Sequence, residues 1–147
     1  MKRKKKTKRK LQYDQLDEIC KQIIILRDDC TCQVSGKNLE DEEKHPHHLT
    51  KRSKSIRLRW DLLNIILLSK GWHCKFTNDE VLGDKWFREK FPARYEYLWA
   101  LIPKEDQFTD AEILVPRRNC LKTWRSADLD ELEVELKEKL ADLKGGA

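Results

Sequence analysis

All four histidines of the 147-residue chain fall between positions 45 and 73. They run His45-Pro46-His47-His48 and then His73, with Asn64 between the pair and the last of them. Neutral imidazole has an unperturbed pKa near ~6.5, so it works as a base or a cation ligand around neutral pH. Inside the same stretch lie Lys51, Arg52, Lys54, Arg57 and Arg59, cations suited to phosphate oxygens. Phosphodiester hydrolysis needs an activated water, charge relief on the phosphate and help for the leaving oxygen. The plainer readings are a surface loop for the histidine run, a solvated loop for the cations and, for Arg59, an internal pair with Asp61.

The order His47-His48, Asn64, His73 resembles the HNH endonucleases. Arg59-Trp60-Asp61 leads into Asn64, and Trp86, Phe87 and Phe91 follow, much as in phage HNH proteins and the NinG-type phage recombination proteins. The resemblance covers residues 11–102 and implies a two-stranded hairpin packed on one helix around a single metal ion. It implies His48 as the general base, His47 and His73 as metal ligands, and Asn64 as the side chain that holds the hairpin loop so that His48 is correctly aimed. The implied function is metal-dependent DNA endonuclease activity in phage DNA processing or recombination. The implied cofactor is one divalent ion, Mg²⁺ or Mn²⁺ ahead of Zn²⁺ or Ni²⁺. The alternatives are a catalytically inactive HNH-fold protein that binds or packages DNA and, with less support, a zinc-binding interaction module.

Two departures from the family pattern matter. Many HNH relatives carry two Cys-x-x-Cys pairs that hold a structural zinc; aligned here, the four positions are Cys32, Ser35, Ser69 and Trp72. Three of these are not thiolates, so the four-sulfur site cannot form, and packing by Trp72 is expected to replace it. Regrouping of Cys30, Cys32 and Cys74 with His45 would require an uncommon Cys-x-Cys spacing. The position of a third metal ligand in some relatives is Thr77, whose hydroxyl suits magnesium better than zinc. His45 has no role in the motif.

Several elements must position these groups. Leu16, Ile19, Cys20, Ile23 and Ile24 recur at helical spacing, with Asp14 as expected N-cap and Arg27-Asp28-Asp29 as the end. His45–Leu49 enters a first strand, residues 50–55 form a basic loop, and Asn64–Leu68 is an apolar run suited to a second strand. Trp72-His73-Cys74 opens the helix that completes the metal fold. Trp86, Phe87, Phe91, Tyr95, Leu98, Trp99 and Ile102 form apolar helical faces and read as core rather than base-stacking platforms. Thr109 with Glu112 reads as a capping box, and Pro116 as a kink. Leu129, Leu132, Leu136, Leu140 and Leu143 form one stripe that can cover the domain or pair with a second copy, and docking on the domain is expected because sustained heptads are missing. The fold class is α+β and mostly helical: a ββα-metal nuclease core wrapped by additional helices. Residues 1–10 read as a disordered basic arm, 11–102 as the HNH domain and 103–147 as a helical extension packing on it.

The net charge is +5, but eight of residues 2–10 are Lys or Arg, which leaves −3 (+5 less 8) for the remainder. The arm, with Lys4, Lys5, Lys6, Lys8 and Arg9, therefore reads as a polyanion-binding segment, displacing counterions along DNA, branched or single-stranded forms included. The same run in a eukaryotic chain would be a nuclear localisation signal. No apolar run reaches the ~20 residues of a membrane span, and polar residues rather than an apolar segment follow the basic start. A cytoplasmic protein is expected, in the host cytoplasm for a phage-encoded chain, without membrane partners and monomeric. Five irregularly spaced cysteines argue against a disulfide framework. No structural zinc is expected: elemental analysis of protein purified without added metal should give well under one zinc per chain. A stoichiometric zinc that survives EDTA and disappears in Cys30→Ser or Cys32→Ser would overturn this.

Overall fold

The computed structural model describes residues 3–49, 58–101 and 124–145. The basic loop with Lys51, Arg52, Lys54 and Arg57 lies outside the described residues, as do Ile102, the Thr109–Glu112 capping box, Pro116 and Cys120.

Helix α1 spans Lys8–Arg27 and buries Leu16, Ile19, Cys20, Ile23 and Ile24, the stripe its spacing predicts. Its N-cap lies seven residues before the expected one (14 less 7). Thr7, not Asp14, is the N-cap, its hydroxyl accepting from Lys10 N at 3.2 Å. Lys8–Lys10 are thus helical rather than part of a disordered arm. Repulsion among the lysines is offset by Asp14, which pairs with Lys6 at 2.9 Å and with Lys10 at 3.7 Å. At the other end, Asp29 takes a left-handed φ of 52°, which lets Cys30 N reach back to Ile25 O at 2.8 Å.

Strands β1 (His45–His48) and β2 (Ile65–Leu68) pair antiparallel, with His45 opposite Leu68, His47 opposite Ile66 and His48 opposite Ile65. A 3₁₀ turn, Leu62–Asn64, delivers the chain into β2, so Asn64 ends that turn instead of opening the strand. All four β2 residues are buried. Such a strand leaves an outer edge of polar backbone that must find partners. Asp28 Oδ2 accepts Leu67 N at 2.9 Å and Gln33 N donates to Leu67 O at 3.0 Å. Arg27 donates to both Leu62 O and Ile65 O at 2.6 Å, and Arg94 adds bonds to Leu63 O and Ile65 O.

Helix α2 (Lys70–Asn78), capped by Ser69, follows β2 directly and contacts both strands. Helix α1 contacts both strands as well. Pro46, His48 and Ile65 share a cleft with α1 residues, whereas His47 meets His73 and Phe76 of α2, so the hairpin lies between the two helices. Helices α3 (Glu80–Lys90) and α4 (Pro92–Leu101) close a second apolar cluster in which Phe87 and Leu98 bury Leu58, flanked by Trp86, Phe91 and Tyr95. Phe87 and Leu98 are buried and Trp86, Phe91 and Tyr95 pack half-buried against them, as their spacing implies, whereas Trp99, expected in the core, is exposed, as is Tyr97. Helix α5 (Ser126–Gly145) lies along α1, and Leu129 and Leu136 enter the same core as Leu16 and Ile23. The architecture of the described residues is therefore α+β and mostly helical: five α-helices around one antiparallel hairpin.

Asp28→Ala removes the acceptor for Leu67 N and the 2.8 Å pair with Arg27 from a largely buried position. An unsatisfied buried donor costs about 1–3 kcal/mol, so the urea midpoint should fall with an unchanged slope. An unchanged midpoint would show that the β2 edge does not depend on it.

Candidate active site

Adjacent residues of a strand point to opposite faces, so β1 divides the histidine pair. On the α2 face, His47 Nδ1 and His73 Nδ1 stand 3.1 Å apart, with ring centroids at 5.2 Å. Two facing ring nitrogens at that separation share one proton, or direct both lone pairs at a cation. Imidazole nitrogens on one tetrahedral or octahedral ion stand roughly 3.0–3.4 Å apart for metal–nitrogen bonds of about 2.1 Å, so the pair fits two cis ligand positions. Burial holds the His73 pKa below its ordinary value, with His45 adding to the effect, and both favour the neutral ring that ligation requires. Thr77 donates its hydroxyl to His73 O at 2.7 Å along its own helix. Among the described residues, no group of three or more His, Cys, Asp or Glu side chains is placed to share an ion.

His45 also joins this face. Its ring stacks on His73 at 5.0 Å, and its Nε2 lies 3.0 Å from Glu43 Oε2. The His45 hydrogen bond, followed by the charge of Lys70, holds the Glu43 carboxyl below its ordinary range. The motif gave His45 no role, but the two-residue repeat of a strand puts positions 45 and 47 on one side and could have found it.

On the α1 face, His48 lines a cleft of about 260 Å³ with Asp14, Asp17, Glu18, Lys21 and Arg59. His48 Nε2 lies 2.8 Å from Arg59 O. A carbonyl only accepts, so Nε2 carries the proton and the ring's lone pair sits on Nδ1. The same turn is held from the β2 side by Asn64, a fully buried polar residue whose Nδ2 donates to Leu58 O at 3.0 Å. Asn64 O in turn accepts Leu49 N at 2.8 Å, joining the end of β1 to the start of β2. Asn64 and His48 therefore converge on carbonyls of consecutive residues, Leu58 and Arg59.

The structure commits the Arg59 side chain internally, but to Asp17 rather than Asp61: Nε and Nη2 donate to the carboxylate at 3.1 and 2.6 Å. Asp61 accepts from Leu63 N at 3.0 Å and from the Tyr97 hydroxyl at 2.9 Å. Of the basic arm, Arg9 bonds the Tyr13 hydroxyl at 3.0 Å and the Trp124 carbonyl, and Lys6 pairs with Asp14 at the cleft. Lys4, Lys5 and Lys8 are exposed.

Cys32, Ser35 and Ser69, three of the four aligned zinc positions, converge. Cys32 is fully buried, with Sγ 3.7 Å from Ser69 Oγ. Burial pushes its thiol pKa up, but hydrogen bonds from the Ser35 hydroxyl and from the backbone of Ser35, Ser69 and Val34 bring it below the ordinary value. Trp72 donates N–H to Ser69 Oγ at 3.4 Å and packs edge-on against Phe76. Cys74 is exposed.

Comparison with models of known families, with curated proteins and with solved structures finds no match to this chain.

A histidine whose folded pKa is depressed contributes stability that is present above the unfolded value and lost as pH falls through the folded one. In metal-free protein, the His73 ring proton should therefore titrate with a midpoint below the ordinary 6.5, and unfolding free energy should decline as the pH falls from 6.5 through that midpoint. His73→Gln should flatten that decline. A His73 midpoint at or above 6.5 would overturn the assignment.

Proposed function

We propose that the chain is a metal-dependent DNA endonuclease with a ββα-metal core formed by β1, β2 and α2. The observation that carries this reading is the convergence of His48 and Asn64 on one turn while, on the other face of the strand, the His47 and His73 nitrogens face each other at 3.1 Å. His48 accepts a proton from water at Nδ1, Nε2 being held by Arg59 O. Asn64 fixes the turn that holds the base. His47 and His73 would hold the divalent ion, Mg²⁺ or Mn²⁺ in first place, which supplies Lewis-acid relief of charge on the phosphate. Lys4, Lys5 and Lys8 contact phosphates outside the scissile one. The role that fits is DNA processing or recombination, in the host cytoplasm for a phage-encoded chain. No helix among the described residues is long and apolar enough to cross a membrane.

The second reading is an inactive HNH-fold protein that binds or packages DNA. It is favoured by the acidic residues that line the cleft with His48.

Supercoiled plasmid with Mg²⁺, Mn²⁺ or EDTA separates the two. His48→Ala should abolish metal-dependent cleavage, a loss of about 10²–10⁴ in rate, while DNA affinity stays nearly intact. His47→Ala and His73→Ala should also lose cleavage, with partial recovery at raised Mn²⁺ that His48→Ala does not share. If wild type and His48→Ala both leave plasmid intact in every metal and bind it equally well, the binding reading replaces the enzyme.

A further inference from the structure

Asp17 lies on α1, 42 residues from the turn it grips. Its carboxylate accepts Arg59 Nε at 3.1 Å, Arg59 Nη2 at 2.6 Å and Trp60 Nε1 at 2.9 Å. The Arg59 guanidinium stands over the rings of Tyr13 and Trp60, at 5.2 Å from each. Trp60 is itself only 3% exposed and meets Tyr13 and Trp124 edge-on at 5.0 and 5.6 Å. Two consecutive side chains are thus held by one acid.

The peptide joining Arg59 to Trp60 is planar, and it contains the Arg59 carbonyl. Fixing the side chains on both sides of that plane fixes where the carbonyl points, and it points at His48 Nε2, 2.8 Å away. We propose that Asp17 is a positioning residue for His48: by clamping Arg59 and Trp60 it aims the Arg59 carbonyl, and the carbonyl holds the imidazole as its Nε2–H tautomer. Asn64 holds the preceding carbonyl, Leu58 O, so the turn is braced from β2 on one side and from α1 on the other. The catalytic consequence rests on the reading of His48 as the base. The tautomer does not, and it can be measured whether or not the protein cleaves DNA.

The test is ¹⁵N NMR of the histidine rings in the metal-free full chain above pH 8, for wild type, Asp17→Asn, Asp17→Ala and Asp17→Glu, beside plasmid-cleavage kinetics. In wild type, His48 Nε2 should carry the proton. In Asp17→Ala the two nitrogens should move towards averaged shifts, and kcat should fall about 10- to 100-fold, the usual loss for an outer partner of a functional histidine, with KM for DNA unchanged. Asp17→Glu, which keeps the charge, should recover part of both. Should Asp17→Ala not fold, Asp17→Asn keeps an oxygen for Trp60 while losing the charged two-point grip on Arg59, and the same spectrum reads it. The proposal is overturned if wild-type His48 is protonated at Nδ1 or is already mixed, or if folded Asp17 variants leave tautomer and kcat unchanged. A tautomer shift in a protein that never cleaves DNA would sustain the positioning role and retire the endonuclease.

Discussion

Strand β2 is buried on both faces, and among the described residues no second strand pairs with its outer edge. Polar backbone in that position must be paired, and most of the structure around the hairpin can be understood as supplying the partners. Arg27 and Asp28 do so from the end of α1, Gln33 from the segment after it and Arg94 from α4. The groups that terminate α1 are therefore the ones that dock it on the sheet, which ties helix length to hairpin position. A shift of α1 by one residue would misplace both the edge bonds and Asp17.

The site follows from that arrangement. A strand with helices on both faces offers two chemically different environments to neighbouring side chains. His47 is turned towards another imidazole and the ring of Phe76, and His48 towards carboxylates and a backbone carbonyl. Two adjacent residues of one type thereby stand in different settings: one ring faces another imidazole nitrogen, and the other has its neutral tautomer set by a backbone acceptor. Neither assignment depends on the residue type alone.

What the sequence made legible was mostly periodic. The apolar faces of α1, α4 and α5, the hairpin and the spacing that brings Cys32, Ser35 and Ser69 together all follow from repeats of 3.6 or 2, or from a fixed offset. The start of α1 lies before Asp14 because that acid serves as a counter-charge to Lys6 and Lys10 rather than as the cap, a role that a basic run considered alone does not show. Asp17 gave no signal, since an acid on the polar side of an amphipathic helix is ordinary. The turn carbonyls at Leu58 and Arg59 could not be anticipated, because backbone acceptors are the same at every position. His45 was separated from the motif by Pro46, although strand alternation puts it beside His47.

The pairing of α1 with α5 bears on how the protein is made. Gln12 and Asp130 bond across 118 residues, and the apolar face of α1 shares its core with Leu129 and Leu136. Ribosomes add roughly 5–20 residues per second, so the nascent helix waits on the order of ten seconds before that cover emerges. During that interval Leu129 and Leu136 are missing from the core that Leu16 and Ile23 enter. Completion of the core is thus a late, long-range event in synthesis.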